Sequence, residues 1–216
     1  MGAISGPHNS VLDDARLKVA RAEKHLHELE HEVREYLETR PYVIGKRHED
    51  GKQIAVIAMR VPPPRYLSAI VGDCVYNLRA SLELVFWGLA LLTGPKDPNR
   101  DRISFPIFAS DLKFQAAWEG LQHYAPEMAL RVVEEVQPFR TRNPSLTILR
   151  KLSNEDRHGF IRLSVSGMVR SDQSLAACVA LADPKAPVIG VETVIREMYR
   201  HIDADMLPKF EPLFHG

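Results

Sequence analysis

The sequence predicts an α+β fold, a helical bundle carrying an antiparallel sheet. Three observations point to it. Two long stretches, 11–39 and 66–92, keep apolar residues three and four positions apart; a pair of β-like runs lies between them, within 42–61; and after residue 159 the period changes from helical to strand-like. No internal repeat or low-complexity segment divides the 216 residues. The chain therefore reads as a single domain, 1–216, with a helical core over 11–159 that carries the inserted hairpin and a C-terminal strand region over 160–216.

In the first helix, Leu26, Leu29, Val33, Tyr36 and Leu37 share a face while Glu, Lys, Arg and His fill the rest, and Pro41 stops it. Two runs follow, Tyr42–His48 and Gln53–Val61, joined by Glu49-Asp50-Gly51, a sequence suited to a hairpin turn. Pro62-Pro63-Pro64 ends the second run, because proline has no N–H to give a ladder. The second long helix, 66–92, closes at Thr93-Gly94-Pro95. A polar loop, KDPNRDR, then leads to the short apolar stretch FPIF at 105–108.

Shorter helices are expected at Asp111–Glu119 and Pro126–Val136, the latter ended by Gln137-Pro138. A third long helix, 144–158, begins with Asn143 as N-cap and Pro144 in the first position, and stops near Gly159. FIRLSVSGMV and LAACVALA read as strands, and VIGVETVIREMY fits either a strand or a helix. ADMLPKFEPLF closes the chain as a short helix.

Composition narrows the function. The formal charge is zero, so no global field draws the protein to nucleic acid or to an anionic membrane. Cys74 and Cys178 stand in apolar surroundings and read as buried thiols of a reducing compartment. The N-terminus lacks a basic region followed by an apolar one, and Gly6 stands where a myristoylation motif needs Ser or Thr. The longest apolar run, Leu84–Leu92, is too short to span a bilayer. These features point to a cytoplasmic protein without a membrane partner. No Walker loop, dinucleotide fingerprint, G-x-S-x-G elbow or Cys/His zinc spacing occurs, which argues against nucleotide hydrolases, dehydrogenases and α/β-hydrolases and leaves no cofactor implied.

One match to a catalytic motif does occur. His27-Glu28-Leu29-Glu30-His31 fits the zinc-protease pattern H-E-x-x-H, which on a helix stacks two imidazoles beside a general base. The metzincin extension would need Gly at 34 and His at 37, and the chain has Arg34 and Leu37. Glu23, Lys24, Glu30, Glu32, Arg34 and Glu35 surround it, which describes a solvated helix face laced with ion pairs rather than a dry metal site. No metal site is expected here.

Two polar stripes on apolar helices carry more. In VGDCVYNLRASLELVFWGLA, 71–90, Asp73, Asn77 and Ser81 recur every four residues, Tyr76, Arg79 and Glu83 widen the polar sector, and Arg79 and Glu83 form an i, i+4 pair. A helix this apolar must satisfy such groups, either in a hydrogen-bonded packing network or in a functional pocket. In LRKLSNEDRHGF, 149–160, Arg150, Asn154 and His158 share one stripe, with Arg157 beside Arg150 and Asp156 at the edge of the buried side marked by Leu149 and Leu152. His158 falls in the last turn, where the helix dipole favours a cation. The cluster suits a phosphate or another anion, or else caps the helix end with basic side chains.

These residues also carry a resemblance. ARAEKHLHELE, GDCVYNLRASLE, FPIF, QPF and LRKLSNEDRHG appear in the order typical of a large bacterial family that shows GD-x-x-HNLR-x-x-LD, then FPI, then QP, then a helix ending N-x-x-DKHR. The likeness covers about residues 15–165, and departs from the pattern at Tyr76, Glu83, Arg157 and Gly159. It implies relatives without implying an activity. The helix pair further resembles the HEPN superfamily, which packs four or five helices and includes metal-independent ribonucleases that use an Arg and a His with four to six residues between them. Seven residues separate Arg150 from His158, whereas Arg21/His27 and Arg196/His201 match that spacing.

Three functions remain open on the sequence. A binding module would use Asp73, Asn77, Arg79, Asn154, Asp156 and Arg157 to hold a phosphate-bearing ligand or an acidic partner. A HEPN-like endoribonuclease, acting on RNA as a homodimer, would use His158 for proton transfer and Arg150 for charge stabilisation. A structural protein would use the same groups as one interior network.

Overall fold

The computed structural model describes residues 7–49, 52–92, 103–169, 175–183 and 188–214. Its frame is an antiparallel pair of long helices, α1 (Pro7–Glu38) and α2 (Arg65–Leu92). On α1 the buried stripe is Leu12, Ala15, Val19, Ala22, Leu26, Leu29, Val33 and Tyr36, which alternates steps of three and four along the helix. α2 answers with Leu67, Val71, Cys74, Leu78, Val85 and Leu89, all fully buried. This is the seam of a coiled-coil-like pair. The antiparallel sense shows in its cross-links: the Cys74 thiol lies 3.8 Å from the Ala22 carbonyl, and the Tyr36 hydroxyl donates to the Val61 carbonyl at 2.6 Å.

Small residues let the helices close up. A Cβ on Gly88 would lie 2.7 Å from the Phe214 ring and 3.1 Å from Val11, so the C-terminal helix seats on α2 only because that position is bare. α2 as a whole is long and apolar enough to cross a membrane, a length that the nine-residue run Leu84–Leu92 understates. Here it is the central helix, packed by α1, α6 and α7.

The strands form two hairpins. β1 (Tyr42–Glu49) pairs with β2 (Lys52–Met59), and β3 (Leu163–Val169) with β4 (Leu175–Leu181), each pair antiparallel. Glu49 stands opposite Lys52, so the connection is the two residues Asp50 and Gly51, which lie outside the described residues. The sequence suggests one sheet; among the described residues there are two, each of two strands. The hairpins meet by packing instead of a shared ladder, Ile57 of β2 lying against Gly167 of β3. The stretch 188–199 supplies no third strand. Apart from an isolated bridge at Gly190 it is helix α7 (Val191–Arg200), which buries Val191, Ile195 and Met198 at helical spacing.

The remaining elements follow the expected order: α3 (Asp111–Gln122), α4 (Glu127–Glu135), a short turn α5 (Pro138–Thr141), α6 (Ser145–His158) and α8 (Leu207–Phe214). α6 starts one residue later than its sequence suggests, with Pro144 and not Asn143 at the N-cap; Asn143 still serves the entry to the helix, its Oδ1 accepting from the Ser145 amide at 2.9 Å. Between α7 and α8 the chain widens into a π-helical turn, His201–Met206, directly before Pro208, whose ring offers no N–H to an ordinary helical bond. The closure of α2 at Thr93-Gly94-Pro95 and the KDPNRDR loop fall outside the described residues.

Candidate functional site

FPIF, an extended segment without secondary structure, is held by side chains from three elements. Burying such a backbone requires a partner for each polar group. The Phe105 amide donates to Glu83 Oε2 at 2.7 Å, and the Phe105 carbonyl accepts from Arg79 Nη2 at 2.9 Å. The Pro106 carbonyl accepts from Gln137 Nε2 at 2.9 Å, and the Phe108 amide donates to Gln137 Oε1 at 2.8 Å. The Ile107 carbonyl accepts from Arg150 Nη1 at 2.8 Å. With these groups satisfied, the Phe105 ring packs edge-on between Phe86 and Phe210. Arg79, Glu83, Gln137 and Arg150 thus form one clamp, and the motif residues that run in order along the sequence meet around it. Arg79 and Arg150 are tied to backbone groups that the side-chain pattern alone does not reveal.

Beside the clamp, α2 and α6 leave a half-open cleft of about 550 Å³. Tyr76, Arg79 and Glu83 line it from α2, and Ser153, Asp156 and Arg157 from α6, with Lys18 of α1 at one edge. Arg79 is mostly buried and pairs with Glu83 at 2.5 Å, yet its Nη1 is buried without a hydrogen-bond partner among the described residues. Burial pushes the Arg79 guanidinium down from its ordinary value; Glu83 opposes this, and the nearby charges of Arg157 and Arg150 push it further down. Arg157 is exposed and has no carboxylate partner among the described residues. Lys18 holds its ammonium 5.5 Å from the centre of the exposed Tyr76 ring.

Asp156 brings a carboxylate to the lining. Asp156 packs so closely on α2 that a Cβ at Gly72 would lie 2.4 Å from its Oδ1. Burial raises the Asp156 carboxyl, and the charge of Asp73 raises it further. Gly72 is therefore the position that admits α6 at this level.

The other candidates lie apart from the cleft lining. Asn77 is buried, and its amide donates to the Asp73 carbonyl one turn back at 2.8 Å, so it serves its own helix. Ser81 likewise turns onto the Leu78 carbonyl. Asp73, Asn154 and His158 are exposed, His158 at the C-terminal end of α6. The two stripes therefore do not meet: the residues brought together are their flanking neighbours Arg79, Asp156 and Arg157, while Asp73, Asn77, Arg150, Asn154 and His158 do not line the opening.

On α1, His27, Glu28 and His31 all stand on the exposed face; Glu28 meets His25 at 3.2 Å, and His31 meets Arg34 at 3.2 Å. Among the described residues no group of three His, Cys, Asp or Glu is placed to hold a metal ion. The Arg196/His201 spacing likewise brings nothing together: Arg196 pairs with Glu30 at 2.7 Å and His201 with Asp205 at 3.0 Å.

The sequence passes over Lys18 and Ser153, and marks Gln137 only as a helix end and as part of the QPF motif. A lysine on a charged helix and a serine amid polar residues carry no local signal. Gln137 could have been suspected from its place before Pro138, next to an apolar helix end, but its partners are thirty residues away. Comparison of the chain with protein-family models, with curated proteins and with solved structures finds no match.

Proposed function

We propose that the cleft between α2 and α6 binds a phosphate-bearing ligand. The observation that carries this is the crowding of guanidinium groups at one end of the opening. Arg79 has a donor without a partner, and Arg157 and Arg150 repel it while Arg157 has no counter-charge of its own among the described residues. An anion with several acceptor oxygens relieves that repulsion and fills the missing bond, and Lys18 adds a third cation to the lining beside Arg79 and Arg157. The concave shape and a volume within the usual range for small-molecule pockets favour a ligand over an acidic protein surface. Binding is also favoured over RNA cleavage. A ribonuclease would need His158 beside the bound phosphate and Arg150 free to face it, whereas His158 stands outside the cleft and Arg150 is engaged with the Ile107 carbonyl.

The test is a melting curve in rising inorganic phosphate at constant ionic strength, run beside an RNA-cleavage gel. Phosphate at a hundred times its Kd should add about 2.7 kcal/mol of stability, a rise of roughly 5–10 °C. Arg157→Ala should remove that rise without shifting the ligand-free Tm, because the side chain is exposed and unpaired. A rise that survives Arg157→Ala would place the anion elsewhere, and RNA cleavage lost in His158→Ala would replace binding with catalysis.

A further inference from the structure

A second cavity, of about 430 Å³, opens on another face of α6, between that helix, the end of β4 and α7. The two cavities use different residues of α6: Ser153, Asp156 and Arg157 face the cleft, and Ile148, Lys151, Leu152 and Glu155, spaced three and four apart, face this one. Its inner surface is aliphatic, with Ile148 and Leu152 from α6, Leu181 from β4, and Ile189 and Val194 from the α7 side. Side chains of this kind normally close on one another at high density. Here they surround a hollow large enough for a small organic molecule.

Charge marks the rim. Lys151 forms an ion pair with Asp183 and approaches Glu155 at 3.9 Å, and its hydrogen bond to Asp183 raises its ordinary value. The second cation, Arg162, comes from the connection between α6 and β3, and its guanidinium has no hydrogen-bond or ion-pair partner among the described residues. Its charge is felt at Lys151, so the two sit at the same mouth. Both rim carboxylates, Asp183 and Glu155, are turned to Lys151, which leaves the Arg162 guanidinium outside any ion pair among the described residues, and an aliphatic interior with such a group at its edge complements an amphipathic anion. A cationic or neutral ligand would leave Arg162 unpaired, and the planar fork of a guanidinium suits a carboxylate.

We propose that this cavity binds a small aliphatic monocarboxylate, its chain against Ile148, Leu152, Leu181, Ile189 and Val194 and its carboxylate on Arg162. The site is independent of the phosphate cleft.

Calorimetric titration of the full chain with hexanoate and octanoate tests it. Each methylene buried contributes about 0.8 kcal/mol, about a fourfold gain in affinity, so octanoate should bind about fifteen times more tightly than hexanoate, at one site per chain. Arg162→Ala should weaken octanoate at least tenfold and leave 1-octanol binding unchanged. Ala182→Leu, which intrudes on the cavity wall, should reduce octanoate binding more than hexanoate binding. Arg157→Ala should change none of these values. Equal affinities for hexanoate and octanoate, octylamine binding as well as octanoate, or octanoate binding indifferent to Arg162→Ala would each overturn the proposal. Arg162 is exposed, so its replacement leaves a folded protein in which that last result is readable.

Discussion

Replacing Gln137 by leucine should be among the most damaging single changes at a polar position. The side chain is completely buried and makes three hydrogen bonds, to the Phe108 amide at 2.8 Å, the Pro106 carbonyl at 2.9 Å and the Val133 carbonyl at 3.1 Å. Leucine keeps the volume, so the change reads the bonds and not a cavity. It strands the Phe108 N–H and the Pro106 carbonyl, whose positions the backbone dictates, at about 1–3 kcal/mol each. The more apolar side chain returns on the order of 1 kcal/mol. The net loss is about 3 kcal/mol, which for a chain of this length is a fall in Tm of roughly 6–12 °C. In urea the midpoint should move down by about 1.5 M at a slope near 2 kcal/mol/M, with the slope unchanged. Gln137→Glu should be worse at neutral pH, because its carboxylate meets two carbonyls where an amide donated. If Gln137→Leu moves the midpoint by less than about a tenth of these values, FPIF is not held by this side chain and the clamp is misread.

Three further outcomes follow from the packing around α2. Asp156→Asn should raise the Tm at pH 7: burial and the Asp73 charge raise the Asp156 carboxyl in the folded state, so its ionisation opposes folding, and the gain should shrink as the pH falls toward about 4, where the unfolded carboxyl also takes up its proton. A gain that is constant with pH would remove the electrostatic cause. Gly88→Ala should lower the Tm in spite of alanine's roughly 1 kcal/mol helix preference, because the new methyl meets the Phe214 ring at 2.7 Å, and trimming that ring with Phe214→Leu should lessen the additional loss. Cys74 and Cys178, whose thiols burial pushes up to about 12 and about 11, should resist iodoacetamide at pH 8 in the native protein and react in urea, as mass spectrometry would show. Rapid native alkylation of Cys74 would mean that the α1–α2 seam opens.

Periodicity alone determined the long helices and the order of elements. Val33 and Tyr36 on α1 and Leu78 and Val85 on α2 recur at helical spacing because one face of each helix must leave water, and that demand is written locally. Pro41, Asn143 and the proline triplet marked boundaries for the same reason, since each acts on its own backbone. Tertiary structure decided the partners. Nothing local could join Glu83 to the Phe105 amide, Gln137 to the Pro106 carbonyl or Arg150 to the Ile107 carbonyl, because those bonds satisfy a buried extended segment whose position depends on the whole bundle. The same holds for the cleft. The α2 and α6 stripes were legible as polar residues on apolar helices, but their rotation about the helix axes sent Asn77 back onto its own helix and left His158 in solvent, while Arg79, Asp156 and Arg157 met. The 188–199 stretch was open between strand and helix because its apolar residues fit both periods. Burial of Val191, Ile195 and Met198 on one face settled it as helix, a choice made by contact with α1 and α2 and not by the residues themselves.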